Sequence, residues 1–154
     1  MTTLTPPDGQ ARSPAGGAGL RGALAARVMI RRQDDILTAR QAGREAARGL
    51  GLGTADQTRL ATAISELVRN ALRYAGGGQC RIFTHTTGSE QAILIEVEDD
   101  GPGIDNVAAA LMPGYSTGGS LGLGLPAVQK LMDDVSFETR PGFTRITARM
   151  ARRR

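Results

Sequence analysis

The feature that most constrains the fold is a pair of neighbouring strand-like segments, residues 79–87 and 91–99, separated by a short Gly-Ser turn. A connection this short permits only an antiparallel hairpin, because parallel neighbours need a crossover of a dozen or more residues. A second such pair, residues 136–140 and 143–150, meets at Pro141-Gly142, a strong turn dipeptide. We therefore expect a sheet built mainly from hairpins.

The helical patterns are grouped rather than alternating one by one with strands. Residues 26–32 read as a first strand, and segments with apolar residues every three and four positions follow it. Asp34 or Asp35 is expected to cap the first helix, and Thr54 or Asp56 the second. The expected helices cover residues 36–52, 55–75, 105–112 and 123–135.

Hairpins combined with grouped helices indicate an α+β fold, a two-layer sandwich whose mixed, mostly antiparallel sheet carries helices on one face. A length of 154 residues suits a single domain. Residues 1–22 are rich in Pro, Gly, Ser and Thr, which predicts a disordered leader. The folded domain is then expected at residues 23–150, followed by a basic tail at 151–154.

Charge and cysteine content exclude several classes of protein. The formal net charge is +4, but Arg152, Arg153 and Arg154 carry three of these charges in what reads as a solvated tail, so no nucleic-acid-binding face is expected. The sequence has no apolar stretch of about 18 residues, so no membrane span is expected. Cys80 is the single cysteine, which rules out an internal disulfide and suits a reducing cytoplasm.

The first candidate motif is Glu66 with Asn70, which lie four residues apart and share one face of the predicted helix. An amide oxygen suits Mg²⁺, and a carboxylate one turn away can accept the proton of an attacking hydroxyl. The same spacing is also common among ordinary surface residues of an amphipathic helix. The pair alone therefore leaves both interpretations open.

The second candidate motif is the corner formed by Asp99, Gly101 and Gly103, directly after an alternating strand. Glycines let the backbone approach a flat ring closely, and the carboxylate can accept a hydrogen bond from the exocyclic amine of adenine. A Gly-Pro-Gly turn with acidic neighbours, or a metal-binding loop, explains the same residues. The corner alone again leaves both interpretations open.

The third candidate motif is the segment 114–126, in which five of thirteen residues are glycine and which runs into a helical pattern. Its backbone N–H groups, the following helix start and the hydroxyls of Ser116, Thr117 and Ser120 can cradle a triphosphate. A Walker loop requires a lysine, and the single lysine, Lys130, lies inside the following helix. A flexible linker explains the same glycines, and a loop that closes on phosphates is the alternative interpretation.

In this order, the three motifs resemble those of the GHKL ATPase family, which has a Bergerat-type nucleotide-binding fold. Its E-x-x-x-N helix, D-x-G-x-G corner and glycine-rich lid fall on the three segments above. Residues 56–78, 97–104 and 114–134 further resemble RsbT-type serine kinases of bacterial partner-switching modules. Two departures are a Thr-Gly-Gly-Ser order in the lid and a longer leader.

The resemblance implies a role for each motif. Glu66 is the implied base toward a serine hydroxyl, Asn70 the ligand of Mg²⁺, and Asp99 the residue that holds the adenine of ATP. The remaining implied nucleotide contacts are Arg69, Arg73, Tyr74, Gly101, Gly103, Ile104, Tyr115, Ser116, Thr117, Gly118, Gly119, Ser120, Leu121, Gly122, Leu123, Gly124 and Leu125.

The resemblance also implies partners. The implied activity is a cytoplasmic, ATP-dependent serine/threonine kinase that acts on a STAS-domain antagonist in stress signalling and can dock to a PP2C-type phosphatase. The alternative is an anti-sigma factor that sequesters a sigma factor; a homodimer is compatible with either, and no nucleic-acid or membrane partner is implied. The ATPase part of a histidine kinase is disfavoured, because no dimerisation helix carries a histidine and His85 lies in a strand pattern.

Overall fold

The computed structural model of this chain describes residues 22–101 and 124–154. None of the helices in these ranges combines the length and the apolar character needed to cross a membrane. The elements in chain order are β1 (Ala23–Ile30), α1 (Asp34–Gly49), α2 (Thr54–Ala75), β2 (Gly78–Thr86), β3 (Glu90–Asp99), α3 (Leu125–Leu131), β4 (Asp134–Arg140) and β5 (Phe143–Arg153).

Within the described ranges the strands form one five-stranded sheet in the order β1-β2-β3-β5-β4, and every pairing there is antiparallel. Both predicted hairpins, β2–β3 and β4–β5, are present. The chain returns through α3 to place β5 beside β3, so that Asp99 lies opposite Thr144. The predicted α+β sandwich with an antiparallel sheet is thereby confirmed.

The core lies between the helices and one face of the sheet. The apolar residues that recur every three and four positions along α2 are almost fully buried, and Leu60, Ile64 and Val68 are all at 0% exposure. Burying each such side chain contributes about 1.5–3 kcal/mol relative to leaving it exposed. Cys80 is part of this core, and burial raises the pKa of its thiol to about 12.

The opposite face of the sheet carries a network of ion pairs across β2, β3, β5 and β4. Glu96 is buried and pairs with Arg81, while Glu98 accepts from Arg81 and Arg145 at 2.7 Å each. Arg145 also donates to Glu138 at 3.0 Å. Burial opposes the ionised form of Glu98, but the two arginines outweigh it and the pKa of Glu98 is lowered.

The expected helix caps are wrong in detail. Asp34 and Asp35 lie in the first turn of α1, and the Asp35 carboxylate accepts the upstream N–H groups of Arg31 and Arg32 at 2.7 and 3.0 Å. The residue before α2 is Gly53, and no side chain caps it. Asp35 thus accepts from the backbone just before its helix, whereas Asp56 pairs with the distant Arg152.

Helix α3 is shorter than its apolar pattern predicts. It ends at Leu131, and Val135, expected in the helix, belongs to β4 opposite Ala148. The N–H of Ala151 donates to Asp133 at 2.7 Å, which fastens the turn after the helix to β5. Strand pairing therefore replaces helical hydrogen bonds in this segment.

Of the three C-terminal arginines, Arg153 and Arg154 are exposed as expected for a solvated run, whereas Arg152 is half-buried. Strand β5 continues through Arg153, and Arg152 on it faces the helices. Its guanidinium donates to both carboxylate oxygens of Asp56 at 2.9 and 3.0 Å and to Asp133 at 3.0 Å. The hydrogen bond from Arg152 is the main cause that lowers the pKa of Asp56.

Arg152→Ala is expected to lower the free energy of unfolding by about 1 kcal/mol near neutral pH, because a bidentate ion pair is lost. The folded-state pKa of Asp56 lies below the ordinary value of 3.8, so the stabilisation is present above that value and is lost as pH falls through the folded-state pKa. Urea unfolding at several pH values measures the difference. Arg153→Ala, exposed on the same strand, is the control, and a difference unchanged under strongly acidic conditions contradicts the assignment.

Candidate functional site

Three polar side chains share one face of α2 beside its buried stripe. Glu66, Arg69 and Asn70 are spaced three and four residues apart, which aligns them on the helix surface. Each is half-buried, and the Glu66 side chain is 30% exposed. Nη1 of Arg69 donates to Oε1 of Glu66 at 3.0 Å. This intrahelical ion pair was not predicted, although the spacing of three residues signals it.

The start of α3 lies directly against this face. Gly124 precedes α3 with a left-handed backbone at φ 74°. A Cβ atom at Gly124 would overlap Oε2 of Glu66 and lie 3.2 Å from its Cδ. Leu125 and Val128 of α3 are fully buried in the core and hold this position in place. The fold thus brings one glycine of the predicted lid to the predicted base.

The Asp99 corner lies at the end of β3, on the side of the sheet that faces the helices. Oδ1 of Asp99 accepts the N–H of Gly101 at 3.0 Å, so that Oδ2 can accept from a ligand amine. Burial raises the pKa of Asp99, the hydrogen bond from Gly101 opposes this rise, and the charge of Asp100 adds to it. The carboxylate is therefore held in a partly desolvated, fixed orientation.

Gly101 joins this corner to the end of α2. A Cβ atom there would lie 2.6 Å from the Cβ of Ala75 and 3.1 Å from the carbonyl oxygen of Tyr74. Real Cβ atoms do not approach other atoms so closely, so glycine is required by packing. The corner and the helix that carries Glu66 and Asn70 are thus in direct contact.

A cavity of about 490 Å³ opens at the ends of β1, β2 and β3. Its lining includes Met29, Arg31, Asp99 and Phe143, but not Glu66 or Asn70. The cavity therefore borders the Asp99 corner and the end of α2, where Ala75 also lines it.

The described residues include nine of the predicted site residues. Those on α2 are Glu66, Arg69, Asn70, Arg73 and Tyr74; those at the corner and at α3 are Asp99, Gly101, Gly124 and Leu125. Arg73 is exposed in the last turn of α2. The predicted residues outside the described ranges are Gly103, Ile104, Tyr115, Ser116, Thr117, Gly118, Gly119, Ser120, Leu121, Gly122 and Leu123.

The chain is similar in sequence to curated kinases and anti-sigma factors. It is 46% identical over 115 residues to the serine/threonine-protein kinase RsbT of Bacillus subtilis (strain 168), spanning 75% of this chain and 86% of that protein. It is 36% identical over 93 residues to the anti-sigma F factor of Clostridium novyi (strain NT), spanning 53% and 61%. The match to RsbT is thus both closer and more complete than the match to this anti-sigma factor.

The fold and the family pattern were compared as well. A chain in the crystal structure of the SiaB-SiaC complex from Pseudomonas aeruginosa superposes with a TM-score of 0.57 at 10% identity, covering 98% of this chain and 100% of that one, a likeness of fold alone. The pattern of the family described as histidine kinase-, DNA gyrase B-, and HSP90-like ATPase matches residues 55–154. That match includes the Glu66–Asn70 face of α2, the Asp99 corner and the start of α3, and this chain belongs to the GHKL family of ATPases.

Proposed function

We propose that this protein is an ATP-dependent serine/threonine kinase that phosphorylates a STAS-domain antagonist in a bacterial partner-switching module. The observation that carries the proposal is the Glu66–Asn70 face of α2, half-exposed and one helical turn long. The 46% identity to the kinase RsbT supports the same reaction, because it spans this face. The single, buried Cys80 suits action in the cytoplasm.

Glu66 acts as the base in the proposed reaction. Its carboxylate takes the proton of the serine hydroxyl while that oxygen forms a bond to the γ-phosphorus and the bond to ADP breaks. Oε1 is already occupied by Arg69, so Oε2 is the oxygen that receives the proton. Arg69 and Arg73 lie within the same two turns of α2, where a guanidinium can steady phosphate charge.

Asn70 fits the role of a Mg²⁺ ligand, since Mg²⁺ commonly takes one or two protein oxygens and completes its shell with phosphate oxygens and water. The bound ion would supply charge neutralisation at the phosphates. Asn70→Ala is expected to weaken ATP binding about tenfold in the presence of Mg²⁺, by loss of one ligand of roughly 1.4 kcal/mol. Calorimetry with and without EDTA measures this, and an affinity equal to that of the parent protein would remove Asn70 from the metal site.

Asp99 is the proposed reader of adenine, because Oδ2 accepts from the exocyclic amine, whereas guanine presents a carbonyl oxygen. ATP is expected to bind about 10- to 100-fold more tightly than GTP. With GTP, the guanine carbonyl oxygen would face Oδ2 of Asp99, and because both atoms are acceptors neither would have a hydrogen-bond partner. Asp99→Asn keeps an oxygen for the N–H of Gly101 and adds an amide donor that can pair with the guanine carbonyl. This change should reduce the preference for ATP over GTP. Equal calorimetric affinities for both nucleotides in the parent protein would contradict this role.

The experiment that tests the kinase proposal is transfer from radiolabelled ATP to STAS-domain proteins encoded in the same genome. We expect label on one of them, removed when its acceptor serine is replaced by alanine. The anti-sigma alternative, which similarity to anti-sigma F factors favours, predicts ATP-dependent binding of a sigma factor without transfer to any STAS protein. Pull-down with a PP2C-type phosphatase and light scattering of the free protein test the docking and homodimer expectations.

A further inference from the structure

The Glu66 carboxylate is confined from two sides, by a residue of its own helix and by a residue distant in the chain. On one side Arg69, in the same helix, donates to Oε1 at 3.0 Å. On the other side the backbone of Gly124 lies so close to Oε2 that there is no room for a Cβ atom. The orientation of this side chain is therefore set jointly by α2 and by the start of α3.

Gly124 differs from most other glycines that have a positive φ. Gly51, Gly76 and Gly142 have φ values of 80°, 77° and 86°, yet a Cβ on any of them would meet nothing within 4 Å. At these positions glycine relieves only backbone strain. At Gly124, with φ 74°, the same strain is combined with a steric conflict that falls on one functional group, the Glu66 carboxylate.

We propose that Gly124 is a positioning residue for the Glu66 carboxylate, an inference that rests on the proposed kinase function. Buried Leu125 and Val128 anchor α3 in the core, so Gly124 cannot retreat without disturbing that packing. Its bare backbone leaves Oε2 where the proton of the serine hydroxyl arrives, while Arg69 fixes Oε1. A side chain at position 124 displaces Oε2 by rotation of the Glu66 side chain.

The kinetic consequence is a slow transfer step rather than a loss of adenine recognition. Misplacing a catalytic group by about 1 Å typically costs on the order of 100-fold in rate. Gly124→Ala is therefore expected to lower kcat for phosphoryl transfer to the STAS protein by about 100-fold. Gly142→Ala, which imposes similar backbone strain in the β4–β5 turn with open space around it, is expected to leave kcat within about twofold.

The decisive test places Gly124→Ala in a Glu66→Asp background. Aspartate is one methylene shorter and withdraws its carboxylate from position 124, so the alanine is expected to cost much less there than in the parent protein. The same fold-loss in both backgrounds would overturn the proposal, because the alanine would then act elsewhere. A loss of kcat in Gly142→Ala equal to that in Gly124→Ala would also overturn it.

Thermal unfolding of the same proteins separates this proposal from the proposed function. If the parent protein transfers no phosphate to any STAS protein, the kinase function fails, but the contact is still measured by stability. We expect Gly124→Ala to lower Tm more than Gly142→Ala does, and Glu66→Asp to restore part of the excess. The contact would be refuted if Glu66→Asp did not reduce the extra loss of Tm in Gly124→Ala. It would also be refuted if Gly124→Ala failed to fold both alone and combined with Glu66→Asp, while Gly142→Ala folded.

Discussion

Replacing Glu66 by glutamine is expected to slow phosphoryl transfer by a factor of about 10² to 10⁴ while ATP still binds, the range associated with loss of general-base catalysis. Glutamine matches glutamate in size and keeps an oxygen for the hydrogen bond from Arg69, but it cannot accept the serine proton. The loss should therefore appear in kcat and leave the dissociation constant of ATP nearly unchanged. Single-turnover transfer and calorimetry on the same preparation measure the two quantities.

The matched control is Glu45→Gln, which removes the same charge from an exposed position of α1. Its transfer rate should equal that of the parent protein. If Glu66→Gln transfers phosphate as fast as this control, Glu66 is not the base. If instead it loses ATP binding, the carboxylate contributes to the nucleotide complex and the assignment of roles on α2 must change.

Replacing Glu96 by alanine is expected to lower the free energy of unfolding by about 3 kcal/mol, the lower end of the cost of breaking a buried ion pair. The Glu96 side chain is only 2% exposed, and its removal leaves Arg81, at 18% exposure, with one carboxylate fewer in a partly desolvated site. Glu98 still pairs with Arg81, which keeps the expected cost at this lower end. Urea unfolding followed by circular dichroism gives the difference.

Glu90→Ala provides a closely matched comparison, since Glu90 lies on the same strand and the same face and pairs with Arg149 at 2.9 Å. The two side chains of that pair are 46% and 38% exposed, so its loss should cost no more than about 1 kcal/mol. Equal costs for the two alanine variants would show that burial does not govern this network. An apolar pair at positions 81 and 96 should recover much of the stability lost in Glu96→Ala.

Local sequence patterns account for the elements and for the motifs they carry. The alternating strands with short turns predict both hairpins, and the spacing of three and four in α2 predicts its buried stripe and the shared face of Glu66 and Asn70. These features depend on neighbours within a few residues, where the periods of strand and helix fix which side chains lie together.

Element ends were less predictable for a related reason. The apolar spacing of α3 continues beyond Leu131 and is compatible with a longer helix. In the folded protein, however, Val135 pairs with β5 and so belongs to a strand. The terminal arginines read as a solvated run until Arg152 meets Asp56 on α2. In the first case the hydrogen bonds come from the other strand of the hairpin, and in the second they come from a helix far along the chain.

By itself, then, the sequence determined an α+β protein with antiparallel hairpins, a helix that presents a carboxylate and an amide one turn apart, and the order of the GHKL motifs. Only the tertiary structure decided that Gly124 packs against Glu66, that Gly101 packs against Ala75, and that Glu98 pairs with Arg145. Such contacts arise when the whole core packs at once, because the position of one element against another depends on all the side chains between them.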